Sequence, residues 1–272
     1  MPNPVSKTAY YCTGVRMLDA RSPDPLLGDT WAEKFMGEEG RAFFEQFRDF
    51  TIPNASNVVR PYIMEEFLRA QIAAEPRHRI VLLGAGFDSR AFRLPGGEWI
   101  EVDEAPIIER KDAVAPASDA PNPLTRVTID FAHDTVEGVL APFATSAPTT
   151  IVMEGVLYYL EPEAVAATLG ALQRSFPHHA LVCDLQSDAF VRKWGGPVIK
   201  RIGEFGARWR FHPANPIAHI EQLGYTLKKA VSIPLRAAEL GRVSIPAWAI
   251  RYVLRSLRDG YQVCVFENER AG

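Results

Sequence analysis

The sequence predicts an open α/β fold, a seven-stranded, mostly parallel sheet with helices on both faces. Three observations point there. Apolar runs of strand length alternate with helical patterns from about residue 80 onward, the runs are mostly continuous rather than alternating, and the first ends in Gly84-Ala85-Gly86. Alternation of the two element types indicates crossover helices and parallel pairing. Continuous apolar runs suit strands covered on both faces.

The elements follow in order. Residues 8–76 contain helical segments over Trp31–Phe50 and Val58–Ala74, read as an extension packed over the sheet. Ile80–Leu83 is the first strand, followed by Glu98–Val102, Thr125–Ile129, Thr149–Glu154 and Ala180–Leu185. Thr226–Ile233 and Gln262–Glu267 complete the sheet, the last after the turn-like Asp259-Gly260. Glu163–Phe176 reads as a helix, with Pro162 near its first turn and Val165, Leu169 and Leu172 on one face. Pro216–Leu223 is a shorter helix stopped at Gly224. The stretch from about Ser187 to Pro216 is rich in Arg, Trp, Phe and Gly and reads as a lid after the fifth strand.

Composition narrows the function classes. A net charge of -3 gives no basic footprint, which excludes nucleic acid as the expected partner. No apolar stretch reaches bilayer length, so no membrane partner is expected. Met1–Tyr11 lacks the pattern of a secretory signal, which predicts a cytoplasmic protein. Cys12, Cys183 and Cys264 are scattered without metal-type spacing, and the last two read as buried thiols. No metal is therefore expected. Oligomeric state is left open, a homodimer included.

The chemistry lies at strand ends. Leu82-Leu83-Gly84-Ala85-Gly86-Phe87-Asp88-Ser89-Arg90 makes a tight turn whose backbone can approach a ligand closely. Such turns also arise for structural reasons alone, so this one does not decide. A pyrophosphate-binding turn wants a third glycine where this chain has Ser89, which disfavours a nicotinamide oxidoreductase. Asp103 ends the second strand and suits ribose hydroxyls, with Glu101 and Glu104 as neighbours. Asp130 and Phe131 follow the third strand and offer an acid for an adenine amino group and a ring to stack on it. Glu154 ends the fourth strand. Ligands of open α/β sheets sit beyond these ends. One with ribose, adenine and ammonium groups uses all three acids.

These segments resemble the leucine carboxyl methyltransferase family, including its bacterial polyketide O-methyltransferase branch. The resemblance rests on Leu83–Arg90 with Arg93-Leu94, on Glu101-Val102-Asp103-Glu104-Ala105-Pro106 leading to Lys111, and on Glu154–Leu160. Upstream it includes Ser6–Ala9, Asp24–Leu27 with Asp29, and Arg60, and it fades beyond about residue 185. The chain departs from the pattern at Arg60-Pro61-Tyr62, where relatives commonly carry Arg-Thr. The resemblance implies a Rossmann-like, class I O-methyltransferase that uses S-adenosylmethionine and releases S-adenosylhomocysteine. By it, Arg60 and Gly84, with the Ala85-Gly86 turn, hold the methionine part, Asp103 the ribose, and Asp130 and Phe131 the adenine. Glu154 then lies beside the sulfonium end, and Lys7 or Thr8 is a weaker carry-over. On this reading 1–272 is one methyltransferase domain: 1–76 an N-terminal helical extension, 77–185 the cofactor-binding core, 186–215 the lid and 216–272 the C-terminal part of the sheet.

The expected acceptor is a small molecule, a carboxylic acid of organic or polyketide type. A carboxylate is already nucleophilic, whereas a hydroxyl acceptor usually needs a base nearby, and no convincing pair of base and orienting residue stands out. Tyr158 with Glu154 is nearest the expected reaction centre. Arg192, Arg208 and Arg210 in the lid are candidate carboxylate grips, and Tyr10 and Tyr11 candidate substrate contacts. Trp194, Phe205, Trp209 and Phe211 are candidates for an apolar pocket. A hydroxyl-directed enzyme and a non-catalytic cofactor binder are the rival readings.

Overall fold

A computed structural model of the chain describes residues 4–131 and 133–268. Its sheet is built from β1 (Arg79–Leu83), β2 (Glu98–Asp103), β3 (Leu124–Thr128), β4 (Thr149–Met153), β5 (His179–Gln186), β6 (Tyr225–Ser232) and β7 (Tyr261–Asn268). The strand order is β3-β2-β1-β4-β5-β7-β6. Strands β1 to β5 pair in parallel, and β7 runs antiparallel between β5 and β6. This is the Rossmann-like sheet that the sequence predicts, and the strand limits agree closely.

Ahead of the sheet lie α1 (Pro4–Ala20), α2 (Thr30–Glu45) and α3 (Thr51–Ala74). The crossovers carry α4 (Arg90–Arg93), α5 (Ala105–Val114), α6 (Val136–Leu140) and α7 (Pro162–Ser175). After β5 come α8 (Asp188–Trp194), α9 (Gly196–Glu204) and α10 (Pro216–Gln222). Between β6 and β7 sit α11 (Ile233–Glu239), α12 (Ala247–Tyr252) and α13 (Arg255–Arg258). Among the described residues, no helix is long and apolar enough to cross a membrane.

Both faces of the sheet are covered. Successive strand side chains point to opposite sides. Val81, Leu83, Ile151 and Met153 therefore pack with Val165, Leu169 and Leu172 of α7 on one face. Ile80, Leu82 and Val152 pack with Ile63, Met64 and Leu68 of α3 and with Ile233 and Ala237 of α11 on the other. A third apolar cluster joins α1 and α2 through Tyr10, Phe35 and Phe44 to Phe87, just past the β1 turn. The N-terminal helices thus lie over the glycine turn, and the strand order reverses between the parallel neighbours β1 and β4.

Two helical regions differ from the sequence reading. Helix α3 begins at Thr51 rather than Val58 and continues through Pro61, so Arg60 stands in mid-helix and not at a helix start. An interior proline costs about 3 kcal/mol of helix stability, which a local reading takes as a boundary. Here Pro61 is itself buried, with Ile63, Met64 and Leu68 packed beyond it, and that burial outweighs the lost hydrogen bond. The helices α11 to α13 have no counterpart in the sequence reading, which treats this stretch only as a passage between two strands.

Candidate active site

The carboxyl ends of β1, β2, β4 and β5 converge on a cavity of about 550 Å³, within the range of small-molecule sites. Its floor starts at the β1 turn. The N–H groups of Gly84 and Ala85 donate to Val102 O at 2.9 and 3.1 Å, extending the ladder into the turn. Gly84 has φ +75°, and a Cβ there would meet Val156 Cγ2 at 2.5 Å. Glycine is therefore required both by conformation and by space. Gly86 N–H donates to Asp103 Oδ2 at 2.6 Å, and Glu104 N–H to Asp103 Oδ1 at 2.7 Å. Burial nevertheless lifts the Asp103 carboxyl to about 6, against the pull of those two amides.

Beside this turn lies a buried ion network. Glu154 Oε1 accepts from Arg60 Nε at 3.1 Å, and Glu154 Oε2 from Arg90 Nη2 at 2.6 Å. Burial raises the Glu154 carboxyl, but the Arg90 and Arg60 guanidiniums overcome it and hold it at about 2. Arg60 Nη1 also donates to Asp184 Oδ2, Tyr158 Oη and Tyr261 Oη at 3.1–3.2 Å. Asp184 Oδ1 in turn accepts from Gly155 N–H at 2.6 Å, fixing the backbone just past Glu154. Among the described residues, Arg60 Nη2 has the Cys12 thiol as its one hydrogen-bond partner, at 3.6 Å. A thiol is a weak acceptor, so this guanidinium edge keeps donor capacity toward a ligand carboxylate. Arg90 Nε has no hydrogen-bond partner among the described residues and lies 3.6 Å from Glu65 Oε1.

Helix α1 closes the turn side. Ser6 Oγ donates to Glu104, Arg16 Nη2 donates to Phe87 O at 2.7 Å, and Arg16 Nε to Asp29 Oδ2 at 3.0 Å. The donor set fits S-adenosylmethionine. There is a glycine cradle, a buried carboxylate for ribose hydroxyls, and a guanidinium edge beside a carboxylate for an amino-acid moiety.

The structure brings together Arg60, Gly84, Ala85, Gly86, Asp103, Phe131, Glu154, Tyr158 and Tyr11, all of which line the cavity. Other expected residues fall outside it. Asp130 is exposed, and its carboxylate meets His133 Nδ1 at 2.8 Å, closing the turn after β3 instead of facing inward. Tyr10 is turned one helical step away from Tyr11 and packs on Phe87, with ring centroids 4.8 Å apart. Arg192 is exposed and pairs with Asp188 on its own helix. Arg208 and Arg210 are exposed as well, with Arg210 paired to Glu161. Burial alternates along residues 207–211, which lie in neither helix nor strand. Ala207, Trp209 and Phe211 turn inward, and the two arginines turn out. The lid cations therefore do not grip a ligand in the cavity.

Trp194 and Trp209 line the cavity, the latter stacked on Tyr158 with centroids 5.0 Å apart, whereas Phe205 packs on Phe43 and Phe47. Several lining or supporting residues were not singled out by sequence. Arg90 lies inside a quoted segment without a role, Arg16 lies in none of them, and Asp184 sits in a strand that reads as apolar. Ile250 and Leu257 come from α12 and α13. The helical spacing of Ile250, Leu254 and Leu257 is the signal that could have found them.

Residues 9–173 match the family described as leucine carboxyl methyltransferase. With more than half of the chain matched, the protein belongs to this family. Among relatives, a provisionally named S-adenosyl-L-methionine-dependent methyltransferase of Mycolicibacterium paratuberculosis is 29% identical, over 75% of this chain and 73% of its own length. Another of the same description from Mycobacterium sp. (strain KMS) is 30% identical over 62% of each chain. The solved structure of a DUF574 family protein from Streptomyces avermitilis superposes with a TM-score of 0.59 at 12% identity, over 94% of this chain and 97% of the other. A provisionally named methyltransferase from Thermobifida fusca gives 0.54 at 17% identity, over 94% of both. These two share the fold.

Proposed function

We propose that this member of the leucine carboxyl methyltransferase family, an S-adenosylmethionine-dependent methyltransferase, methylates a carboxylate of a small organic or polyketide-type metabolite. The observation that carries the reading is the state of Glu154. It is the carboxylate at the β4 end beside Tyr158, and two guanidiniums hold it at about 2. A group that acidic cannot take a proton from an alcohol or phenol. Burial also pushes the phenols of Tyr158 and Tyr159 up, away from the range of a base at neutral pH. An acceptor that arrives already ionised needs neither.

When bound, S-adenosylmethionine would supply an electrophilic methyl carbon with sulfur as leaving group, and a carboxylate acceptor would bring no proton for the chain to remove. The chain's task is then positioning. Arg60 and Glu154 are suited to the two charges of the amino-acid moiety, Gly84 and Gly86 to close backbone approach, and Asp103 to the ribose. Helix α1 covers the turn through Ser6, Arg16 and Ala9.

The test uses cofactor carrying a labelled methyl group and a mixed pool of small carboxylic acids, alcohols and phenols. Label that mild base releases as methanol supports ester formation. Label that resists base belongs to an ether and overturns the carboxylate reading.

A further inference from the structure

The cavity's roof differs in chemistry from its floor. Helix α9 turns Val198, Ile199 and Ile202 toward the cavity and keeps Lys200 and Glu204 exposed, the pattern of an amphipathic helix lying over a ligand. Trp194 from α8, Ile250 from α12 and Leu257 from α13 complete this wall. These segments are not part of the sheet, and none of them carries an ionised group into the cavity.

The polar groups that reach this side are already engaged with the protein. Gln186 Oε1 accepts from Trp209 Nε1 at 2.9 Å. Tyr11 Oη donates to Asn54 Oδ1 at 2.8 Å. Tyr261 Oη accepts from Arg60 and donates to Asp184. The lining cations Arg16 and Arg90 are likewise paired, with Asp29 and with Asp88 and Glu154. A polyhydroxylated or zwitterionic acceptor entering this compartment exchanges water for hydrocarbon, and each stranded polar group weakens binding roughly tenfold. A hydrocarbon body gains from the same exchange.

We propose that the acceptor is an amphiphilic carboxylic acid, one carboxylate on an extended alkyl or aryl-alkyl body, with the body seated against α9, α12 and α13. The carboxylate itself rests on the reading under Proposed function, whereas the apolar body rests on the roof alone. Specificity then resides in residues such as Ile199 and Ile250 and not in the lid arginines.

The experiment measures kcat/KM for straight-chain acids from acetate to dodecanoate, with gluconate and leucine as hydrophilic acids and 1-decanol as an uncharged counterpart. The expected result is a rise of about fourfold per methylene, equivalent to ~0.8 kcal/mol, until the compartment is filled, with base-labile label. Ile199→Gln lowers the dodecanoate-to-acetate ratio about tenfold. Gluconate or leucine used as well as octanoate overturns the apolar body and leaves the carboxylate reading standing. Base-stable label on decanol, with the acids inert, overturns the carboxylate and leaves the apolar body standing. Butyrate, octanoate and decanoate are also titrated into the complex with S-adenosylhomocysteine, followed by tryptophan fluorescence, to which Trp194 and Trp209 of the cavity wall contribute. Affinity that climbs with chain length supports the proposal independently of turnover, and flat or absent binding overturns it.

Discussion

The floor and the roof of one cavity are built on opposite physical principles. The floor is directional: Arg60, Arg90, Asp184 and Asp103 are buried, Glu154 is largely covered, and all are held by named bonds, each partner arriving from a different part of the chain. The roof is not directional: Val198, Ile199, Ile250 and Leu257 are apolar side chains on short helices. Removing one member of a buried ion network strands its partners, while trimming an apolar wall changes area by degrees. The proposed cofactor recognition sits on the unforgiving half, and the proposed acceptor selection on the half that tolerates change.

The largest test of this contrast is Arg60→Met, which leaves Glu154 and Asp184 without their shared cation. The expected loss is about 3–5 kcal/mol in chemical denaturation, together with loss of calorimetric binding of S-adenosylmethionine. A variant of wild-type stability would show that the network is not the rigid part of the site. Gly84→Ala comes next. An alanine at φ +75° with a Cβ 2.5 Å from Val156 is expected to cost about 2 kcal/mol. Adding Val156→Ala should recover only the part due to the clash.

Asp103 sharpens the contrast through pH. Its carboxyl is raised to about 6 by burial, so the folded protein holds this proton over the range between about 4 and 6 where the unfolded chain has released it. Asp103's own contribution to stability is therefore present below about pH 4 and lost as pH rises through 6. Cofactor affinity should move the other way, because ribose hydroxyls donate to the ionised form. Calorimetric titration is expected to show about tenfold weaker binding at pH 5 than at pH 7.5, and Asp103→Asn should flatten that dependence. Glu154, at about 2, should add no slope in this window.

The smallest expected effect belongs to the lid cations. Arg192→Ala and Arg210→Ala remove exposed pairs with Asp188 and Glu161, and each should change stability by less than about 0.5 kcal/mol. Acceptor KM should also stay unchanged. A large rise in KM would return these arginines to the site.

Much of the floor is legible before any coordinates. The strand ends at Gly84, Asp103 and Glu154 follow from apolar runs that stop at glycine or at an acid, and parallel order brings them together. Arg60 is named by resemblance to the family, but its place in mid-helix is not visible, because Pro61 reads locally as a break. Asp130 shows the limit from the other side: it too ends a strand, yet its carboxylate turns to His133. A strand end fixes where a residue's backbone lies, not which neighbour its side chain will find.

What the sequence by itself determined is periodic: seven strands, their burial on both faces, and the glycine turn that follows the first. These depend on the local order of apolar residues and on backbone freedom, both of which are written residue by residue. Only the tertiary structure decided which charges pair, which lid side chains face inward, and that α11 to α13 wall the cavity. Those outcomes depend on distances between residues far apart in the chain, such as Arg60 and Asp184, and on competition among many partners for one buried position.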